Sequence, residues 1–106
     1  MWIHGDLHPG NLLVHNGRLS GVLDFGDLAA GDPATDLAVA WMLFGGDARS
    51  TFHNLTCGVA GWLDEDTWTR SRAWALVLGV AYLAHGGTHQ RFAAVAAATI
   101  EEAMLG

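Results

Sequence analysis

The chain has 106 residues, of which 51% are hydrophobic and only 15% are charged, a composition that predicts one globular domain and excludes a disordered chain. Its formal net charge of −6 argues against nucleic acids as partners, because an acidic surface is repelled by phosphate backbones. The apolar run Ala73–Ala84 is too short to span a bilayer, and no signal peptide is evident. We therefore expect a cytoplasmic protein with no membrane partner.

A loop and a β-hairpin are predicted for the N-terminal part. The glycines and the proline among the first ten residues disfavour a helix there. Strands are predicted over Leu12–His15 and Arg18–Asp24, and the Asn-Gly pair between them is a strong signal for a two-residue turn. Antiparallel pairing of these strands would bring Asn11, just before the first, close to Asp24, at the end of the second.

Helical patterns occupy the rest of the chain after a predicted loop over Leu28–Asp32. Apolar residues recur there at the spacing of amphipathic helices. The predicted helices run from Pro33 to about Phe44, over Thr51–Leu63, from Asp64 to about Ala84, and from Thr88 onwards. The coarse prediction is an α+β domain in which a loop and a hairpin precede about four α-helices.

The predicted helix ends carry recognisable signals. Asp32 before Pro33 is typical of an N-cap followed by proline in the first turn, and Asp64 is a second N-cap candidate. Glycine pairs are typical helix stops, and they follow the first and third predicted helices as Gly45-Gly46 and Gly86-Gly87.

The tryptophans and the cysteine are interpreted as packing residues. Trp41, Trp62, Trp68 and Trp74 lie in apolar helical contexts, which favours packing in the core or between helices over stacking on a substrate. Cys57 is the only cysteine, so the chain cannot form an internal disulfide, and we expect it to be a small buried apolar residue.

Three oxygen-bearing side chains carry the functional prediction. Asp6 precedes Asn11 in a Gly-rich segment, and Asp24 opens an Asp-Phe-Gly sequence. Phosphoryl transfer uses one carboxylate to accept the proton of the attacking hydroxyl, and uses Asn and Asp oxygen atoms to hold Mg²⁺. Each residue alone has a structural explanation, as a turn former or a strand end. Their combination favours chemistry.

The stretches HGDLHPGNLLV and GVLDFGDLAAGDPATDLA resemble the aminoglycoside phosphotransferase and choline kinase superfamily, a branch of the protein-kinase-like fold. The resemblance implies the C-terminal lobe of that fold and transfer of a phosphoryl group from ATP to a small-molecule hydroxyl. It implies that Asp6 is the catalytic residue and that Asn11 and Asp24 bind Mg²⁺. It also implies that Asp36 supports the catalytic loop by hydrogen-bonding its backbone.

Further polar residues of this region have less certain roles. His4 is expected to hold the loop by packing and hydrogen bonding. His8 and Asp27 are candidates for contact with phosphate or substrate, with ordinary loop positions as the alternative. A zinc site made by His4, His8 and His15 is disfavoured, because oxygen ligands dominate nearby and no CxxC or HExxH motif accompanies them.

The sequence also lacks parts that a complete kinase has. It contains no lysine and no Gly-rich phosphate-binding motif, whereas kinases place both in an N-terminal lobe. We therefore expect residues 1–106 to be one partial domain whose exposed apolar face is covered by that lobe or by a second copy. Alone, this segment is expected to be weakly active or inactive.

Two other functions stay open at this point. The first is a kinase-derived binding or regulatory module without catalysis. The second, a metal-dependent hydrolase, is disfavoured because no second metal-bridging cluster is evident. For a phosphotransferase, the negative net charge favours a cationic acceptor.

Overall fold

A computed structural model describes residues 1–85 and 90–106. Its N-terminal part contains four short strands in two antiparallel pairs. Strand β1 (Trp2–Ile3) pairs with β4 (Ala29–Ala30), and β2 (Leu12–His15) pairs with β3 (Arg18–Val22). The first pair lies where loops were predicted, so that prediction was wrong. Strands of two residues are too short for an alternating pattern to reveal them.

The predicted hairpin is confirmed, and its turn has the expected geometry. Asn16 and Gly17 both have positive φ, 52° and 74°, as a type I′ turn requires. The register shifts once, because Val14 pairs with Leu19 while the preceding residue of β2 pairs with Gly21. This bulge leaves Ser20 as the extra residue of β3.

Strand β3, the second strand of the hairpin, is shorter than predicted. It ends at Val22 instead of Asp24, because Asp24 adopts a left-handed conformation with φ 59° and ψ 71°. Aspartate tolerates this conformation better than most residues. The change of direction takes the Asp24 side chain out of the alternation of the strand.

Five α-helices follow among residues 33–85 and 90–106, and the α+β class is confirmed. Among the residues described, none of the helices combines the length and the apolar character that a membrane span requires. The helices are α1 (Ala34–Leu37), α2 (Ala40–Leu43), α3 (Gly46–Val59), α4 (Glu65–His85) and α5 (Gln90–Leu105).

The helix predicted from Pro33 to about Phe44 is divided between α1 and α2. At the junction, the Val39 amide donates to the Asp36 carbonyl at 3.3 Å and the Trp41 amide donates to the Ala38 carbonyl at 3.1 Å. These are i→i+3 bonds, which tighten the backbone and interrupt the α-helical pattern. The side-chain periodicity continues across the junction, so no local pattern indicates the interruption.

Helix α3 begins and ends earlier than the predicted helix Thr51–Leu63. The pair Gly45-Gly46, predicted to end the preceding helix, instead begins α3, with Gly45 as its N-cap. Arg49 anchors this start from a buried position. Its Nη1 donates to the Phe44 carbonyl at 2.9 Å and to Glu102 Oε2 at 3.0 Å. A contact this distant in sequence is invisible to local patterns.

The predicted N-cap of the long helix is confirmed. Asp64 Oδ1 accepts hydrogen bonds from the Thr67 amide at 2.8 Å and from the Thr67 hydroxyl at 2.7 Å. The described end of α4, His85, lies within one residue of the prediction. The predicted stop at Gly86-Gly87 and the predicted start at Thr88 lie outside the described residues.

Small side chains let the helices approach closely in the core. A Cβ on Gly79 of α4 would lie 2.8 Å from Ile100 Cγ1 of α5, so only glycine fits this crossing without displacement. Ser71 and Thr99 are also fully buried. The buried apolar cluster consists of Ala38, Ala40, Trp41, Ala75 and Ala103.

The packing predictions for aromatic residues and cysteine hold only in part. Trp41 is 2% exposed and its ring lies 4.7 Å from that of Trp68, as predicted. Trp62 is 46% exposed and Trp74 is 37% exposed. Cys57 is exposed rather than buried. Periodicity identifies helices, but when apolar residues occur on all sides it does not show which side is covered.

Candidate active site

The loop between β1 and β2 depends on a glycine. Gly5 has φ +91°, and a Cβ built on it would lie 2.5 Å from the Asp27 carbonyl oxygen. Any other residue would therefore be strained and would also collide with the neighbouring backbone. This close approach brings the Asp27 segment against the loop that carries Asp6.

His4 connects three parts of the site. It is buried, and its Nδ1 accepts a hydrogen bond from the Asp6 amide at 3.1 Å. Because Nδ1 is the acceptor, we assign the proton to Nε2, which donates to the Leu23 carbonyl at 2.8 Å. The ring also lies edge-on to Phe25, with centroids 4.7 Å apart.

Asp36 binds the backbone of the same loop. From α1, its Oδ2 accepts from the His4 amide at 2.7 Å and its Oδ1 accepts from the Gly5 amide at 3.0 Å. Hydrogen bonds to a carboxylate are stronger than those between neutral groups. Both oxygen atoms of this side chain therefore attach the loop to the helices.

Asn11 is buried and oriented by Asp6. Its Nδ2 donates to the Asp6 carbonyl at 2.9 Å and lies 3.3 Å from Asp6 Oδ2. The nitrogen end of the amide is thus committed to Asp6, and Oδ1 is the end that remains for a cation. The Asn11 carbonyl in turn accepts from the Leu23 amide at 2.7 Å.

Asp24 is tied to this network through its neighbour. Leu23 donates its amide hydrogen to Asn11 and accepts at its carbonyl from His4, so both of its peptide groups face the loop. Asp24 itself is exposed, and its carboxylate makes no capping bond to the short 3₁₀ turn Phe25–Asp27 that follows. The structure therefore joins the backbone before Asp24 to the loop of Asp6 and Asn11.

The remaining predicted site residues are placed differently. His8 lies beside Asp6, with 3.8 Å between Nε2 and Oδ2. Asp27 is an exposed residue, and it takes part in the site through its backbone carbonyl, which lies against Gly5. His15 is exposed at the far end of the hairpin. Within the described ranges, no three His, Cys, Asp or Glu residues are grouped to hold a metal, which gives no support to a zinc site.

Tyr82 reaches the site from α4 and was not among the predicted site residues. Its ring lies edge-on to that of His8, with centroids 5.8 Å apart. Burial, with a smaller contribution from the charge of Asp6, raises the pKa of Tyr82 to about 12. The phenol therefore stays neutral at physiological pH. No local pattern in the sequence connects this helical residue to the loop.

The comparison with known families agrees with this geometry. A model of the phosphotransferase enzyme family matches residues 1–74, a stretch that includes the loop, the hairpin, α1 to α3 and the first half of α4. The chain belongs to the phosphotransferase enzyme family. The resemblance on which the sequence interpretation rests is thereby confirmed.

One curated relative of this phosphotransferase-family chain is the uncharacterized protein YcbJ of Bacillus subtilis (strain 168). The two are 46% identical over 44 residues, which are 41% of this chain and 14% of the relative. The matched part is thus a small fraction of the relative's length. No solved structure matches the chain significantly.

Proposed function

We propose that the chain supplies the catalytic residue and metal ligands of an ATP- and Mg²⁺-dependent phosphotransferase that acts on a hydroxyl group of a small molecule. The observation that carries this proposal is the hydrogen-bond network that joins Asp6 to Asn11, and Asn11 to the residue before Asp24. It lies within the part of the chain that matches the phosphotransferase family.

Asp6 is proposed to act on the acceptor hydroxyl. Its side chain is 33% exposed, and Oδ2 is flanked by Asn11 Nδ2 at 3.3 Å and by His8 Nε2 at 3.8 Å. With one oxygen atom held by the protein, the other can accept a hydrogen bond from the acceptor. The carboxylate then orients the hydroxyl and takes its proton as the bond to phosphorus forms.

Asn11 and Asp24 fit the ligand chemistry of Mg²⁺. An amide oxygen and a carboxylate are hard oxygen donors, and Mg²⁺ takes one or two such protein ligands beside water and phosphate oxygens. The donation from Asn11 Nδ2 to Asp6 fixes the amide so that Oδ1 is available to a cation. When bound, the metal neutralises charge on the phosphates.

An additional lobe is proposed to hold ATP. Large apolar side chains are exposed on the loop-and-hairpin region, which is unusual for a surface that stays in water. We propose that a nucleotide-binding lobe covers them, with a second copy of the chain as the alternative. These residues include Trp2, Leu13, Val14, Leu19, Phe25 and Leu28.

The acceptor is proposed to be a small alcohol, with amino alcohols and aminoglycosides as the first compounds to test. Support for a cationic acceptor comes from the net charge of −6, since an acidic surface raises the local concentration of cations.

The test is a phosphotransfer assay on the gene product that contains this chain, with ATP, Mg²⁺ and a panel of aminoglycosides, amino alcohols and sugars. Asp6→Asn should lower turnover about 10²–10⁴-fold, because it removes the proton acceptor while keeping the shape of the side chain. Asp47→Asn, an exposed acid on α3, is the matched control and should not change turnover. Absence of turnover with every acceptor, or full activity of Asp6→Asn, would contradict the proposal.

A further inference from the structure

His8 is held in one orientation by the residue two positions later. Its Nδ1 accepts a hydrogen bond from the Gly10 amide at 3.0 Å. A Cβ on Gly10 would lie 2.9 Å from His8 Cε1 and 3.0 Å from His8 Nδ1, so the imidazole occupies space that only glycine leaves open. The absence of a side chain at position 10 is thus a condition for this ring position.

The hydrogen bond from Gly10 also determines the protonation of the neutral ring. Because Nδ1 accepts, the proton lies on Nε2. Nε2 is 3.8 Å from Asp6 Oδ2, and the His8 side chain is only 13% exposed. The loop therefore places an N–H donor next to the carboxylate that is proposed to receive the substrate proton.

Tyr82 also contacts this ring. The two rings meet edge-on with centroids 5.8 Å apart, and Tyr82 belongs to the long helix α4 rather than to the loop. A contact from a packed helix limits how far the imidazole can move away from Asp6.

We propose that His8 is a positioning residue that orients the Asp6 carboxylate through Nε2, with Tyr82 holding the imidazole in place. This inference rests on the proposed function of Asp6. Asn11 Nδ2 approaches the same Oδ2 atom at 3.3 Å, so Asn11 already holds the oxygen of Asp6 that His8 Nε2 faces. The His8 separation of 3.8 Å exceeds a hydrogen bond, and we expect it to shorten when substrate binds, which would leave the other oxygen to the acceptor.

The first experiment distinguishes the roles of the two ring nitrogens of His8 by substituting this residue in the intact gene product. Glutamine can place an amide N–H near the position of Nε2, whereas asparagine can place an amide oxygen near that of Nδ1. His8→Gln should retain kcat within about threefold. His8→Asn should lower kcat about 10–100-fold with KM for ATP and acceptor unchanged, since misplacing a reacting group by about 1 Å costs this much.

The opposite ranking, in which His8→Asn is active and His8→Gln is not, would show that His8 only binds the loop backbone. A change confined to KM in both variants would show instead that His8 contacts a substrate. Either result overturns the inference.

The second experiment tests the contribution of Tyr82. Tyr82→Phe keeps the ring edge against His8 and should retain kcat, whereas Tyr82→Leu should lower kcat with KM unchanged. Adding Tyr82→Leu to His8→Asn should cause little further loss, because residues that act through one contact are not additive. Independent, multiplying effects of the two substitutions would overturn the role assigned to Tyr82.

A spectroscopic measurement distinguishes failure of this inference from failure of the proposed function. In ¹⁵N-labelled protein, the ring signals of His8 should show the Nε2–H tautomer, and Asp6→Asn should shift the Nε2 signal. If the wild type shows no turnover, the proposed function fails. The shift of the Nε2 signal would still show in that case that His8 and Asp6 are coupled. A His8 spectrum unchanged by Asp6→Asn overturns the inference even if the enzyme is active.

Discussion

The loop-and-hairpin region (residues 1–32) and the helical region (residues 33–85 and 90–106) are held together by different forces. In the first, the specific contacts are hydrogen bonds of His4, Asn11 and Asp36 to backbone groups. Large apolar side chains are exposed in both regions. In the second, Trp41 and small residues form a buried apolar cluster. The proposed catalytic residues thus lie where the geometry depends on a few polar contacts, whereas the stability of the helical region depends on packing.

The two regions meet loosely at one place and firmly at another. An apolar cleft of about 680 Å³ separates one face of the hairpin from α1 and α2, lined by side chains such as Val14, Leu37 and Leu43. Asp36 lies at the same boundary and binds the loop directly through both oxygen atoms. We infer that this carboxylate, more than apolar packing, transmits the rigidity of the helices to the site.

The largest effect on stability is expected in the helical region. Trp41→Ala should lower the free energy of unfolding by about 3–5 kcal/mol, because it leaves a cavity among residues that cannot collapse around it. Trp62→Ala is the matched control and should cost less than about 1 kcal/mol, since Trp62 is 46% exposed. Urea unfolding followed by circular dichroism measures both. Equal losses in the two variants would contradict the role of the buried apolar cluster in stability.

A glycine substitution should have the next largest effect and should act on the loop. Gly5→Ala combines an unfavourable positive φ with a collision against the Asp27 carbonyl, so we expect a loss of about 2–4 kcal/mol and a loss of activity. Gly61→Ala is the control, because a Cβ there meets no atom within 4 Å. A Gly5→Ala protein with unchanged unfolding and turnover would contradict this description of the loop.

Substitution of Asp36 tests the link between the regions. Asp36→Ala removes two acceptors of backbone hydrogen bonds and should lower the free energy of unfolding by about 1–3 kcal/mol. Asp36→Asn keeps one acceptor and should lie between Ala and the wild type. Turnover should follow the same order, measured on the proteins that remain folded at the assay temperature. If turnover were unaffected in both variants, Asp36 would not position the loop.

The smallest effect is expected from an exposed ion pair at the boundary. A hydrogen bond from Arg70, and then one from the Ala34 amide, lowers the pKa of Asp32 below its usual value of 3.8. Since the folded-state pKa is the lower one, the stabilisation is complete above 3.8 and is lost as the pH falls through the lowered pKa. Asp32→Asn should therefore flatten the dependence of the unfolding midpoint on pH below about 4, and added salt should weaken the difference. An unchanged pH profile in the variant would contradict the pairing.

The sequence was informative where a residue type is demanded by local backbone. The Asn-Gly turn of the hairpin and the cap at Asp64 each follow from neighbours in the chain. Asp6 and Asn11 were singled out by their spacing in the motif, and the structure joins them by a hydrogen bond.

What the sequence could not predict depends on contacts between distant residues. Helix α3 begins earlier than periodicity suggests, because Arg49 in its first turns binds Glu102 of α5. Cys57, also on α3, lies on the exposed side of that helix. Tyr82 approaches His8 only after α4 has packed against the preceding elements. Such pairings need the tertiary fold before they can be recognised.

Asn11 and Asp24 are proposed to hold a divalent ion beside Asp6. Paramagnetic relaxation in ¹⁵N-labelled protein titrated with Mn²⁺ and ADP tests this proposal most directly. We expect the strongest broadening at the amide signals of Asn11 and Asp24, and its loss in the Asn11→Ala/Asp24→Ala variant. Strongest broadening at acids of the helical region, such as Glu65 or Glu102, that persists in that variant would contradict it.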